Sequence, residues 1–302
     1  MARERALVLS GGSIKGSFQA GAVSHVLKCF DPDLVIGTSV GSLNGGFIVA
    51  RHGAGNSWRE SGEKLTEFWK SRIRRFRDIG RRRCTLSLLL SLRKRFNGIL
   101  DMSRLYSIVA EEVKREEIAA SVADFYACSV NIQSGQAHYA GKDSADLIDS
   151  IIASTAIPLV MPIRMVGGEP YWDGGIREVA PLKKAIELGA NEIVCIACDP
   201  PDTPPASIPG PTGPFMELAD RLMQMVTNET LNNDIDTVHD VNHYLAASPN
   251  PTGLLATRRH IELTVIRPAE ELQIDLESFD EGDISRLIDL GVQAAEREWS
   301  CG

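Results

Sequence analysis

The chain has 302 residues, 43% of them hydrophobic and 24% charged, with a formal net charge of −8. That is ordinary globular composition, long enough for one large α/β domain or two small ones. The acidic balance excludes general nucleic-acid binding, and no stretch reads as a signal peptide or approaches the ~20 apolar residues of a spanning helix.

In chain order, residues 6–9 are a short apolar run ending in Ser10-Gly11-Gly12, and residues 17–28 carry a helical pattern. Residues 34–36 form a second apolar run, followed at once by Ser39 and an apolar stretch through Ala50. Further strands are expected at 125–130, 193–198 and 261–266, whose near-continuous apolar character suits central strands covered on both faces. Helical patterns intervene at 63–76, 103–113, 147–153 and 182–188, with Gly189 where a helix C-cap belongs, and a long helix is expected over 215–245. Strands alternating with helices predict an α/β fold with a mostly parallel sheet, read as a single domain over residues 1–302.

Two segments read as insertions. Residues 70–100 are dense in Arg and Lys, with Asp78 as the only acidic residue between Lys70 and Arg95. Within them Cys84-Thr-Leu-Ser-Leu-Leu-Leu-Ser-Leu92 is leucine-rich between arginines, which suits either an amphipathic interfacial segment or a core helix with a solvated basic face. Residues 200–214 hold seven prolines, from Pro200 to Pro214, and predict a long surface loop. The cysteines, Cys29, Cys84, Cys128, Cys195, Cys198 and Cys301, show no framework spacing. Cys195 and Cys198 form C-x-x-C, but an offset of three on a strand sends the side chains to opposite faces, so they read as core thiols. The expectation is a soluble, cytoplasmic protein of a reducing compartment, with transient peripheral contact at a membrane surface.

Gly37-Thr38-Ser39-Val40-Gly41 matches G-x-S-x-G between an apolar strand and a helical run. In that setting the serine occupies a tight strand-to-helix turn with its hydroxyl exposed, and the helix N-terminus favours developing negative charge. Upstream, Ser10-Gly11-Gly12-Ser13-Ile14-Lys15-Gly16 aims backbone N–H groups at one point. Its order, Lys15-Gly16-Ser17, is wrong for a phosphate P-loop, and adjacent Gly11 and Gly12 break the dinucleotide fingerprint. An oxyanion hole fits better. A serine also needs a base, and Asp173 in Tyr171-Trp172-Asp173-Gly174-Gly175 is the candidate. Histidine is the commoner base, so a triad through His239, His243 or His260 stays open at this point. His239-Asp240-Val241-Asn242-His243 resembles a zinc motif but lacks its glutamate and any third ligand, so no metal and no cofactor is assigned.

With these pieces in order, the sequence resembles the patatin-like phospholipases, which carry a glycine-rich oxyanion loop, a G-x-S-x-G serine and a later D-G-G aspartate. Ala153-Ser154-Thr155-Ala156-Ile157-Pro158 and Pro181-Leu182 look similar too. The resemblance implies a three-layer α/β/α sandwich and a lipid acyl hydrolase acting through a Ser–Asp dyad. Ser39 is then the nucleophile and Asp173 the proton acceptor. Gly11, Gly12 and Ser13 supply the oxyanion hole, while Gly16, Gly37, Gly41, Gly174 and Gly175 support the turns. Two departures stand out. Ser13 replaces the third glycine of the usual triplet, and Arg177-Glu178-Val179-Ala180 replaces the usual Asp-Asn pair before the proline.

Overall fold

The computed structural model describes residues 4–83, 96–203, 215–248 and 251–301. The leucine-rich run 84–92 and most of the proline-rich loop lie outside these residues.

The first half of the chain alternates as expected: β1 (Arg5–Leu9), α1 (Gly16–Val26), β2 (Leu34–Thr38), α2 (Val40–Gly53) and α3 (Trp58–Arg72). The basic segment then contributes a short helix α4 (Phe76–Ile79) and a two-residue strand β3 (Arg81–Arg82), which pairs with β4 (Leu100–Asp101). Next come α5 (Ser103–Glu112), α6 (Arg115–Ala120), β5 (Asp124–Asn131), β6 (Ala137–Gly141) and α7 (Leu147–Ser154). The remainder is β7 (Arg164–Val166), β8 (Glu169–Asp173), α8 (Leu182–Glu187), β9 (Glu192–Ile196), α9 (Phe215–Ala247), β10 (Glu262–Ile266) and α10 (Glu281–Glu298).

Five strands run parallel in the order β10-β9-β1-β2-β5. They are short and apolar because helices cover both faces. On β1, Leu7 and Leu9 enter the core beneath α1, α2, α3 and α10, while Ala6 and Val8 enter a second core beneath α8 and α9. The architecture is therefore the expected three-layer α/β/α sandwich.

Beyond β5 the sheet turns antiparallel, which the apolar-run analysis did not anticipate. β7 and β8 form a hairpin whose turn, Gly167-Gly168, has φ of 57° and 86° at both positions. Two positive φ values are what a tight hairpin turn needs, and glycine meets them without strain. The register of this hairpin positions the site. β2 pairs with β5 up to Thr38↔Cys128, and β8 takes up the next position with Asp173↔Ser129. Because β6 occupies the other edge of β5 along this stretch, β2 and β8 share one edge and meet C-terminus to C-terminus.

The cysteines depart from expectation in one respect. Cys195 and Cys198 are buried thiols, but the strand ends at Ile196: Cys195, on β9, lies in the α8/α9 core, and Cys198, two residues past the strand, lies against the Ser10–Lys15 loop. Cys29 and Cys301, however, form a disulfide across 272 residues. Such a pairing leaves no local spacing to read, and it runs against the reducing compartment inferred from the sequence. Among the described residues no helix is long and apolar enough to cross a membrane.

Candidate active site

Ser39 stands between the end of β2 and the first turn of α2, with φ 57° and ψ −128°. A non-glycine residue is held in this region only when its surroundings over-determine it. Here the surroundings are two glycines and two serines. The Ser39 amide donates to Ser154 Oγ at 2.7 Å, Ser154 Oγ donates to the Cys128 carbonyl, and Ser42 Oγ, 2.8 Å from Ser154 Oγ, donates to the Gly37 carbonyl at 2.7 Å. Gly41 is required by close approach, since a Cβ there would lie 2.3 Å from the Leu9 carbonyl oxygen. Gly37 packs equally tightly on the Gly41 carbonyl. The four residues clamp the turn and aim the serine hydroxyl away from the sheet.

Asp173 ends β8 and caps the short turn that follows, where Gly175 N–H donates to Asp173 Oδ1 at 2.8 Å. Its own amide donates to the Ala156 carbonyl at 2.9 Å, and Gly174 lies against the Cys128 carbonyl. Ser39 is the one side chain that acts on this carboxylate, and it favours the ionised form. Burial pushes its pKa up from 3.8 to about 6, against the smaller lowering from Ser39 and Gly175. Ser39 is 6% and Asp173 5% exposed, so the pair is screened from bulk water but not sealed. A carboxylate held near pH 6 is a better proton acceptor than a solvated one at 3.8 and is still ionised at neutral pH.

The glycine loop follows β1. Its first amide is already engaged, because Gly11 N–H donates to the Val179 carbonyl at 2.9 Å. Gly11 thus anchors the loop, and of the three amides expected in an oxyanion hole those of Gly12 and Ser13 are the candidates not engaged in this way. Val179, from the segment that departs from the family pattern, thus holds the loop through its backbone. Gly12 lies so close to Cys198 that a Cβ would meet its Sγ at 2.6 Å. Ser13 adopts φ 51°, a strained angle that the glycine it replaces would take freely. Gly16 opens α1 beneath Val40 and Trp69. Beneath the loop, the Gln19 amide donates to the Ser10 and Ile196 carbonyls, Asn44 donates to Gly16 and Gln19, and Trp69 Nε1 donates to Asn44 Oδ1 at 2.9 Å. Lys15 is tied to Asp199 at 2.6 Å, and that charge pair raises its pKa although burial works the other way.

Ser13 and Ser39 line an apolar cavity of about 50 Å³, together with Leu43, Trp69, Ile73, Met102, Leu105 and Met161. At ~10–15 Å³ per water-sized group, it holds roughly three to five such groups before the walls must move. The histidines stand apart. His239, His243 and His260 are exposed, and none of them is among the groups acting on Asp173. Two contributors escaped sequence reasoning. Ser154 was visible only as part of a similar-looking stretch, and nothing in the sequence connects the Val179 carbonyl with Gly11.

The family model for patatin-like phospholipases matches residues 7–186, more than half of the chain. The chain belongs to the patatin-like phospholipase family. It is 28% identical over 204 residues to the uncharacterized protein YjjU of Escherichia coli strain K12, covering 65% of this chain and about half (52%) of that relative. Among solved structures, VipD from Legionella pneumophila aligns over 98% of this chain and 66% of its own, with a TM-score of 0.40 and 10% identity.

Proposed function

We propose that this patatin-like protein hydrolyses carboxylic esters of phospholipids or related lipids through a Ser39–Asp173 dyad. The observation that carries the reading is the meeting of β2 and β8, which brings buried Ser39 and buried Asp173 together, with Ser39 lining an apolar cavity. In this mechanism the acyl chain enters the cavity and presents its carbonyl carbon to Ser39. Asp173 accepts the hydroxyl proton as the C–O bond forms. The carbonyl oxygen, now an anion, is held by the Gly12 and Ser13 amides, with the N-terminus of α2 adding favourable field. Asp173 returns the proton to the departing alcohol, leaving an acyl-Ser39 ester. Water, deprotonated by the same carboxylate, then attacks that ester; the proton passes to the departing Ser39 oxygen, and the fatty acid is released.

The same dyad would serve a plain carboxylesterase or an acyltransferase, in which only the acceptor or the leaving group differs. Substrate contact would be made by transient docking of the protein on a membrane surface.

Turnover of p-nitrophenyl esters by wild type, Ser39→Ala and Asp173→Asn tests the reading. Short-chain esters, which fit the cavity as it stands, are expected to turn over in wild type alone, with losses of about 10⁴-fold or more in Ser39→Ala. Activity surviving in the serine variant would sink the dyad. Absence of turnover by wild type on any ester would instead make this a lipid-binding member of the family. A lipidomic comparison of membranes treated with wild type and Ser39→Ala identifies the natural substrate.

A further inference from the structure

A chain of buried side chains joins the wall of the apolar cavity to the glycine loop. Trp69, on α3, lines the cavity and donates its Nε1–H to Asn44 Oδ1 of α2 at 2.9 Å. Asn44 Nδ2 donates to the Gly16 carbonyl and to Gln19 Oε1 of α1, both at 3.0 Å. Gln19 Nε2 in turn donates to the Ser10 and Ile196 carbonyls, both at 3.1 Å. All three side chains are buried, Gln19 and Asn44 completely.

The chemistry of these groups sets one direction along the chain. An indole N–H donates and cannot accept, so Asn44 must turn its oxygen to Trp69 and its NH₂ group to α1. Gln19 must then accept from Asn44 with its oxygen, which leaves its own NH₂ group for the two carbonyls. Both hydrogens of each NH₂ group are used, and a flip of either amide would set donor against donor. A buried network of this kind is rigid when complete and costly when one member is lost.

The carbonyls that the chain reaches bracket the loop. Ser10 precedes Gly11 and Gly16 follows Lys15, so both ends of the oxyanion segment hang on the same two amides. Ile196 ends β9, and its carbonyl also accepts from the Ser10 N–H at 3.1 Å, which pins the arrangement to the sheet. The indole also touches the loop end directly, since a Cβ at Gly16 would lie 2.7 Å from Trp69 Cζ2.

We propose that Gln19 and Asn44 are positioning residues for the Gly12 and Ser13 amides, and that Trp69 sets them from the wall of the acyl cavity. This role rests on the Ser39–Asp173 reading, because an oxyanion forms only in that chemistry. The wall that receives the acyl chain and the loop that holds its carbonyl oxygen then form one unit. Removing the Trp69 donor therefore lowers turnover, whereas loss of a mere wall contact weakens binding of substrate.

Two substitutions test the chain. Trp69→Phe keeps an aromatic ring in the wall and removes the donor. Gln19→Met keeps the side-chain length, removes both donors to the carbonyls, and alters a residue outside the cavity lining among the described residues. Either variant alone carries the test if the other fails to fold. Hydrogen exchange is measured with Ser39→Ala as the parent, so that the result does not depend on hydrolysis. The reporters are the Gly11 and Lys15 amides, which donate to the Val179 and Gly12 carbonyls. Each variant is expected to speed their exchange by at least about tenfold, the equivalent of one buried hydrogen bond. Trp58→Phe, a control on the same helix where the indole stacks on His52, is expected to stay within about twofold. With Ser39 intact, both variants should lower kcat on a short-chain p-nitrophenyl ester by about tenfold, with KM within about twofold. An unchanged kcat, with or without a raised KM, would make Trp69 a wall residue only and overturn the proposal. Unchanged exchange, or an equal rise in the control, would overturn it as well. Absence of wild-type turnover on any ester would sink the hydrolase reading instead, and exchange would still decide whether the chain holds the loop.

Discussion

β2 and β8 end against the same edge of β5, one register position apart, yet different physics holds the residues at these ends, Ser39 and Asp173, in place. Ser39 is held by its own neighbourhood: a strained φ, two flanking glycines and a clamp of hydrogen bonds through Ser42 and Ser154. Asp173 has an ordinary backbone, with φ −50°, and its strain is electrostatic, a carboxylate carried into the protein by a hairpin from more than a hundred residues downstream. The proposed nucleophile is thus built by local geometry and the proposed base by burial. Perturbing the two sides should therefore give different signatures in stability and in activity.

Asp173→Asn gives the largest expected effect and the sharpest contrast. The carboxylate titrates at about 6 in the folded protein and near 3.8 when unfolded. Between these values the native state keeps a proton that the unfolded chain has released, so stability falls as pH rises from about 4 to about 6, and the deficit is complete above that. The amide retains an oxygen for the Gly175 N–H but carries no charge. The variant should therefore lose about 10⁴-fold in ester turnover while gaining on the order of 1–3 kcal/mol over wild type at pH 8, with no gain at pH 4. Denaturant titrations of both proteins at the two pH values measure this. Wild-type kcat/KM should rise through about pH 6 to a plateau as the base ionises. An activity optimum near pH 4 would mean that Asp173 works as an acid or not at all.

The same contrast explains what was legible in the sequence. The glycine loop, the G-x-S-x-G turn and the parallel strands are short-range features, marked by glycine spacing and by apolar runs that only a doubly covered strand would show. Strands β6, β7 and β8 were missed because they are half-exposed and carry residues such as His138, Arg164 and Glu169. Gly167-Gly168 was the available hairpin signal. Asp173 could be named from its two glycines and a family resemblance, but its partner strand could not. The engagement of Gly11 with Val179 and the Cys29–Cys301 disulfide join positions 168 and 272 residues apart, and no local pattern encodes them.

Ser154→Ala tests the local side of the comparison. It removes the acceptor of the Ser39 amide and leaves that buried donor without a partner, at a cost of about 1–3 kcal/mol. Because the turn loses its clamp while Asp173 keeps its surroundings, kcat on a short-chain ester should drop by roughly 10–100-fold with the apparent pKa near 6 retained. Urea unfolding and a pH–rate profile of the variant separate the two contributions. Lost stability with unchanged kcat would show that the flanking strands alone hold the elbow.

The smallest expected effect falls on the other strained serine. Ser13 sits at φ 51° and lines the same cavity as Ser39, and its side chain enters no hydrogen bond among the described residues. Ser39 cannot shed its strain without losing the nucleophile, whereas Ser13 contributes only its amide to the proposed chemistry. Ser13→Gly relieves a left-handed conformation that costs a side-chain-bearing residue ~1–2 kcal/mol, and part of the gain is returned as unfolded-state entropy. The net stabilisation should be about 0.5–1 kcal/mol, with kcat within about twofold of wild type because the amide stays in place. Destabilisation would mean that the serine side chain supports the loop. A kcat raised well beyond twofold would mean that Ser13 holds its amide away from the oxyanion, so that the strain on this side of the cavity restrains the reaction that the strain at Ser39 serves.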